Sequence, residues 1–394
     1  MSDVLQAAPP ALTSRVTLAM AVAAGCAAAN VWYNQPMLGV IAADLGVSSH
    51  TVALIPTATQ IGFAAGIVLL LPLGDRMDRR ALILRQLVLL TLALLAAALA
   101  PNATALIAAS AAVGMGACIA QQIIPFAAEL APAEARGRVV GTVMSGLLLG
   151  ILLGRVLSGA VARYAGWRAM FFIAAGIAVA MGVMLAALLP RSRPLVRASY
   201  LDLLASLAAL VRDQPALRRA TIVQAGQFGG FTAFWSVLAL KLEAAPLHLG
   251  SDVAGLFGLV GAAGVLVASV AGRLSDRYGP GGVIAAGITL TACSFVVFAL
   301  WPTVPGLVVG LVLLDIGMQG SQIANQSVIY ALQRDARGRI NSVFMTGMFL
   351  GGAIASGAAG IGWTLAGWNA VCGIGLVMAL ISLLAQFWPS RARR

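Results

Sequence analysis

The chain has 394 residues, of which 60% are hydrophobic and only 10% charged, and its formal net charge is +12. A soluble domain carries about a quarter charged residues, so that class is excluded. The basic excess could suggest nucleic acid, but its placement along the chain points to membrane topology instead.

Twelve apolar stretches follow one another, near 14–40, 51–73, 81–100, 103–126, 139–161, 169–189, 220–242, 253–272, 282–301, 304–330, 340–362 and 368–388. Each is long enough to cross roughly 30 Å of hydrocarbon. Helices are expected, because no alternating barrel pattern occurs and backbone groups in lipid must be paired internally. Residues 14–189 and 220–388 are then two six-helix bundles, with tails at 1–13 and 389–394. The first run is too long for the core of a cleavable signal, and residues 1–15 are weakly charged.

Between the bundles, residues 190–219 hold Pro190, Pro194, Pro215 and six arginines. A stripe of Tyr200, Leu201, Leu204, Leu207, Leu210 and Val211 predicts a short amphipathic helix on the membrane surface. A plain covalent tether is the alternative. With the N-terminus placed inside, all but four of the 25 lysines and arginines fall in cytoplasmic segments, which puts both termini in the cytoplasm. The exceptions are Arg163, Arg168 and Lys241 on the other side, and Arg155 within the fifth segment. His50 and His248 belong to outside loops. Cys26, Cys118, Cys293 and Cys372 lie inside predicted helices at unrelated spacings, so buried thiols are expected, with no disulfide, metal site or cofactor. Abundant arginine, alanine and glycine with one lysine suggests a GC-rich bacterial genome, hence the inner membrane.

One offset recurs. Asp75-Arg76 and Asp276-Arg277 lie 201 residues apart, as do Arg136-Gly137-Arg138 and Arg337-Gly338-Arg339, Gly146 and Gly347, and Gly166-Trp167 and Gly367-Trp368. The chain therefore reads as two copies of one unit.

Gly272-Arg273-Leu274-Ser275-Asp276-Arg277-Tyr278-Gly279, between segments 8 and 9, resembles the G-x-L-x-D-R-x-G loop of the major facilitator superfamily. The first-half copy, Leu71 to Arg80, keeps Asp75, Arg76, Arg79 and Arg80, but Leu71 and Asp78 replace two glycines. Asp78 is expected to take the left-handed turn conformation that glycine would. Physically, a carboxylate at such a turn accepts from arginines and helix-terminal amides, so the two clusters can act as a cytoplasmic latch between bundles. In segment 5, Gly141, Gly150, Gly154 and Gly159 are similar to the glycine motif of the superfamily's twelve-helix drug:proton antiporters, with Arg155 replacing its proline and Ser158 a glycine. Gly146, Gly150 and Gly154 form a stripe expected to pack on segment 8, where Gly255, Gly258, Gly261 and Gly264 recur.

Asp315 is the acid near the middle of a predicted helix, and Arg155 is the base there. Such charges are costly in a bilayer and face a cavity, a partner or a substrate. At ~1.5 Å per residue both sit roughly 22–24 Å above the cytoplasmic end, so a pairing is possible. Asp315 is the expected proton site, and Arg155 its partner or a substrate contact, including for an anion. The resemblance implies that segments 1, 4, 7 and 10 line the cavity. They offer Asn30, Tyr33 and Asn34; Gln121 and Gln122; Gln227, Phe231 and Trp235; and Gln319 and Gln322 as substrate contacts. Amides and aromatics together suit an amphipathic organic molecule.

The expected fold is all-α, with twelve transmembrane helices in two pseudo-symmetric bundles. The expected activity is proton-driven export of a small organic or drug-like compound. Uptake of a small organic anion and a non-transporting sensor or scaffold are the alternatives. The implied partners are a small-molecule substrate, protons and the lipid bilayer, with no nucleic acid, and the chain is expected as a monomer. No nucleophile–base pair or Walker A sequence is seen, so neither catalysis nor direct ATP use is expected.

Overall fold

The computed structural model describes residues 13–132, 134–192, 199–333 and 336–388, with the side chains of 262–269 left aside. The tail at 1–12, the tail at 389–394, Pro194 and the arginines at 193, 197 and 334 lie outside the described residues.

Among the described residues the structure is helical and contains no strand. Helix α1 (Ser14–Ala29), a 3-10 turn (Gln35–Met37) and α2 (Leu38–Leu45) form the first rod. It is followed by α3 (Ser49–Leu70), α4 (Leu73–Arg76), α5 (Arg79–Ala98), α6 (Ala103–Ala117) and α7 (Ile119–Leu130). Helices α8 (Arg136–Ala165) and α9 (Trp167–Leu188) complete the first bundle. After α10 (Tyr200–Asp213) come α11 (Pro215–Glu243), α12 (Ser251–Val260), α13 (Ala262–Tyr278), α14 (Pro280–Leu300), α15 (Val304–Tyr330) and α16 (Arg337–Phe387). Helix α16 is two rods, because the backbone leaves helical geometry at Ala366 and Gly367. Eight helical stretches, α16 counted as one, meet the length and composition of a membrane crossing. The twelve apolar segments thus become twelve rods, three of them broken: the first at residues 30–37, the fourth at Cys118 and the eighth at Gly261.

The 201-residue repeat is visible in the packing. Gly166 and Gly367 both have positive φ, 81° and 63°, and each turns the chain into the last rod of its bundle. The tryptophan that follows is buried in each case. Trp167 donates its indole N–H to Asp44 (3.0 Å), and Trp368 donates to the carbonyl of Phe298 (2.8 Å). A Cβ on Gly146 or Gly150 would collide with the α1 backbone at Ala21 or Gly25. In the second half a Cβ on Gly351 would collide with Ala225 of α11, and one on Gly347 with the Thr221 side chain. The glycines therefore let the fifth rod lie on the first and the eleventh on the seventh, at backbone contact distance.

This corrects two expectations. The Gly146, Gly150 and Gly154 stripe packs on α1, not on segment 8, and Gly154 makes room for Ala29 and Tyr33. Gly159 does reach segment 8, against Ser251 and Gly255 of α12, whereas Gly141 faces open space. Asp78 is not left-handed either. With φ −58° it caps α5, accepting from the Arg80 N–H at 3.0 Å, while Ser192 donates to the same oxygen. Aspartate is a good cap because its side-chain oxygen satisfies an unpaired amide of the first turn.

Two long helix contacts join the bundles, beside the meeting of the first rod with α11. α3 lies along the first rod of α16, and α8 lies on α12. The second contact belongs to the end remote from the Asp-Arg turns. At the turn end, Gly141 of α8 and Gly272 of α13 both face open space. A cleft of about 130 Å³ opens there between Asp75, Arg79 and Gln122 on one side and Gly338, Arg339 and Ser342 on the other. Helix α10 borders that cleft through Leu203 and Leu207. Its N-terminus carries a capping box between Ser199 and Asp202, and Tyr200 donates to the Leu69 carbonyl at 2.8 Å. Along α10, Leu203, Leu207 and Leu210 are buried on the protein, leaving Leu201 and Val211 exposed.

The glycine contact gives a first prediction. Gly150→Ala forces a methyl into the α1 backbone and should cost about 1–3 kcal/mol, the usual penalty of overpacking. Gly141→Ala should be neutral. Melting temperatures of the two purified variants check this, and equal values would sink the packing assignment.

Candidate functional site

The centre of the molecule is built around Arg155. It projects from α8 and is 4% exposed, although nothing on its own helix pairs with it. Its guanidinium carbon lies 3.8 Å from the ring centroid of Trp235, 4.7 Å from Trp32 and 5.5 Å from Phe231. Contacts of this kind are worth about 2 kcal/mol or more when desolvated. One nitrogen donates to Gln35 Oε1 at 3.3 Å, and Nε has no partner among the described residues. The break in the first rod makes this possible. Asn30 folds its amide back onto the Cys26 carbonyl (2.7 Å), the chain turns, and Trp32 and Gln35 face α8 and α11.

Asp315 lies in α15, 3% exposed, and its Oδ2 has no hydrogen-bond partner among the described residues. That oxygen sits 3.0 Å from where a Cβ on Gly261 would be, at the break between α12 and α13. Arg155 meets the same rod one turn away, its Cβ 3.0 Å from where a Cβ on Gly258 would be. The two charges are close enough to act on each other. They form no ion pair within 4 Å among the described residues. Below Asp315, Gln319, Gln322 and Gln326 are half-buried along one face of α15.

The other expected contacts divide. Phe231 and Trp235 join the group around Arg155. Asn34 donates to Thr59 of α3 at 2.9 Å, and Tyr33 packs on Gly154. Gln227 accepts from Thr291 of α14 at 2.7 Å, inside its own bundle. Gln122 is not at the centre: it donates to the Leu70 carbonyl at 2.8 Å, beside Gly74 and the first Asp-Arg turn. Gln121 is half-buried at the break between α6 and α7.

The latch residues are likewise redistributed. Arg79 pairs with Asp75 (2.9 Å) and Glu129 (3.3 Å), and Arg80 donates to the Ala186 carbonyl. These ties bind rods two, three, four and six of one bundle, so in this conformation the cluster closes on itself. Arg76, Asp276 and Arg277 are outside those ties, with Arg277 over the Tyr278 ring at 5.2 Å. Gly279 has φ 80° and begins α14, which is the backbone reason for a glycine at the end of that turn. Gly272 meets nothing.

Sequence reasoning passed over Trp32 and Gln60. Gln60 is 1% exposed in α3, and neither end of its amide has a partner among the described residues. A Cβ on Gly352 would strike both its Oε1 and the Phe228 ring, so Gln60 sits at the seam between the bundles. Around it, Thr57, Ser356 and Ser236 form a hydroxyl chain at 3.1 and 2.7 Å. The signal available was Thr57, Thr59 and Gln60 in an otherwise apolar run.

Two rods broken beside the site, two buried charges with no ion pair among the described residues, and a polar seam between matching bundles form the arrangement of a carrier. The Major Facilitator Superfamily profile matches residues 20–201 and 220–394. The chain belongs to this superfamily. It is 37% identical to the transporter YgaY of Escherichia coli (strain K12) over 376 residues, 95% of each chain. It is 35% identical over 369 residues to the transporter SCO4007 of Streptomyces coelicolor, covering 93% of this chain and 86% of that one. A crystal structure of a D-xylose–proton symporter superposes with a TM-score of 0.71 at 17% identity, over 93% of this chain and 96% of that one. This major facilitator chain is thus a multi-pass membrane transporter with the superfamily's fold.

Gln60 yields a second prediction. A buried amide without partners costs about 1–3 kcal/mol, so Gln60→Leu should leave the melting temperature unchanged or raise it. Asn34→Leu breaks a made bond and should lower it. A drop in Gln60→Leu as large as that in Asn34→Leu would mean the Gln60 amide is satisfied.

Proposed function

We propose that the protein is a proton-coupled transporter of a small organic compound in the inner membrane, working by alternating access, with Asp315 carrying the proton. The observation that supports this best is that Arg155 and Asp315, both buried and with no ion pair among the described residues, meet the broken eighth rod one helical turn apart. A carboxylate buried without a partner is expensive unless it can gain a proton, and a broken helix lets it change environment as the bundles rock. The half-buried glutamines beneath it offer water a path to the basic, cytoplasmic end. The remote end is held by Gly159 against α12 while the basic end is parted, which suits a state open to the cytoplasm.

Direction follows from linkage. Export in exchange for protons requires solute and proton to displace one another at the site. Joint uptake requires each to favour the other's binding. Two negative groups so close repel one another, so an anion at Arg155 and a proton at Asp315 favour each other's arrival. The free edge of Arg155 therefore supports uptake over the export that the glycine spacing of segment 5 implies.

The test uses purified protein in liposomes with a trapped pH dye and a panel of sugars, amino acids, organic anions and cationic drugs. Solute added outside should acidify the lumen as it enters, and Asp315→Asn should abolish acidification. Lumenal alkalinisation would establish exchange, and an unchanged signal in Asp315→Asn would remove that residue from the coupling.

A further inference from the structure

Arg155 also restricts what the solute can be. Trp235, Trp32 and Phe231 surround the guanidinium, which leaves its edge as the hydrogen-bonding surface. At that edge stands the Gln35 amide oxygen, at 3.3 Å, and Nε is unpartnered among the described residues. A carboxylate there would accept charge-assisted bonds at about 2.7–2.9 Å, shorter and about twice as strong. Gln35 is not locked in place, since its own Nε2 has no partner among the described residues. It stands where a ligand carboxylate would, and it can yield.

The surroundings favour a ring. Trp32 lies edge-on to Phe228 and Phe231, each at 6.0 Å, and those two stack at 5.8 Å. An arene that displaced one of these mutual contacts would meet the same faces and edges that the rings now offer one another. A polyhydroxylated solute finds less here, because the side chains packed around the guanidinium are rings and Gln35 is the amide at its edge. One buried arginine balances one negative charge, so a second carboxylate or a phosphate dianion would be left uncompensated.

We propose that the solute is a planar aromatic monocarboxylate, its carboxylate on Arg155 in place of Gln35 Oε1 and its ring among Trp32, Phe228 and Phe231. This names the solute of the proton-coupled site and rests on that reading.

Trp32 and Trp235 flank the site, so tryptophan fluorescence of the full chain in lipid nanodiscs reports binding. The probes are benzoate, benzamide, cyclohexanecarboxylate and benzylammonium. Benzoate should bind at least tenfold tighter than each of the others, and Arg155→Gln should bring benzoate down to the level of benzamide. No benzoate binding, equal binding of benzamide or benzylammonium, or a change under twofold in Arg155→Gln overturns the proposal. The wild-type series decides even if Arg155→Gln does not fold. Benzoate binding without solute-linked proton movement would sink the coupling reading alone. Proton movement driven by a cation or sugar, with benzoate unbound, would sink this inference alone.

Discussion

A positive charge held in the middle of an apolar protein by rings rather than by an ion pair is the constraint about which the centre is organised. Asp315 reaches the same rod one helical turn away, yet the two form no ion pair within 4 Å among the described residues. Three aromatic rings and one amide oxygen hold it instead. Rings stabilise a cation without cancelling its charge, whereas an ion pair in hydrocarbon would be hard to separate. The first rod leaves regular helix over residues 30–37, and within that stretch Trp32 and Gln35 both reach Arg155. The site is therefore maintained in a charged, under-bonded condition by the way the backbone is interrupted.

The duplicated architecture supplies the frame. Small residues at equivalent places, Gly146 and Gly150 in one half and Gly347 and Gly351 in the other, set the fifth rod on the first and the eleventh on the seventh. These contacts lie within bundles. Between bundles the packing is mixed: ring on ring at Phe63 and Phe349 (4.3 Å), hydroxyl on hydroxyl at Thr57 and Ser356, and glycine on backbone at Gly159. Rigid-body rocking needs each half to hold together while the contacts of the seam exchange.

The fold was legible because its signals are strong and periodic. Twelve apolar runs, a fixed offset and positive-inside charge need no knowledge of contacts. Residues that make a single depth-determined contribution, such as Arg155 and Asp315, were also legible, since a charge in a long apolar run has few explanations. Partners were not. Gln122 and Gln121 are neighbours in sequence, yet one serves the turn end and the other the rod break, a difference of helical phase and depth. The glycine stripe was visible, but not the rod it faces, because glycine spacing carries no information on its partner. Asp78 looked like a substitute for glycine and is a helix cap, two uses of the same short polar side chain that the sequence does not separate.

The interrupted rods have a consequence for how this site would evolve. Where α12 gives way to α13 at Gly261, and α1 to its turn at Asn30, the course of the main chain decides which side chains reach the centre. That course persists through any side-chain replacement that keeps the break. Lineages could then exchange Arg155, Gln35 or Gln60 for other residues on an unchanged frame.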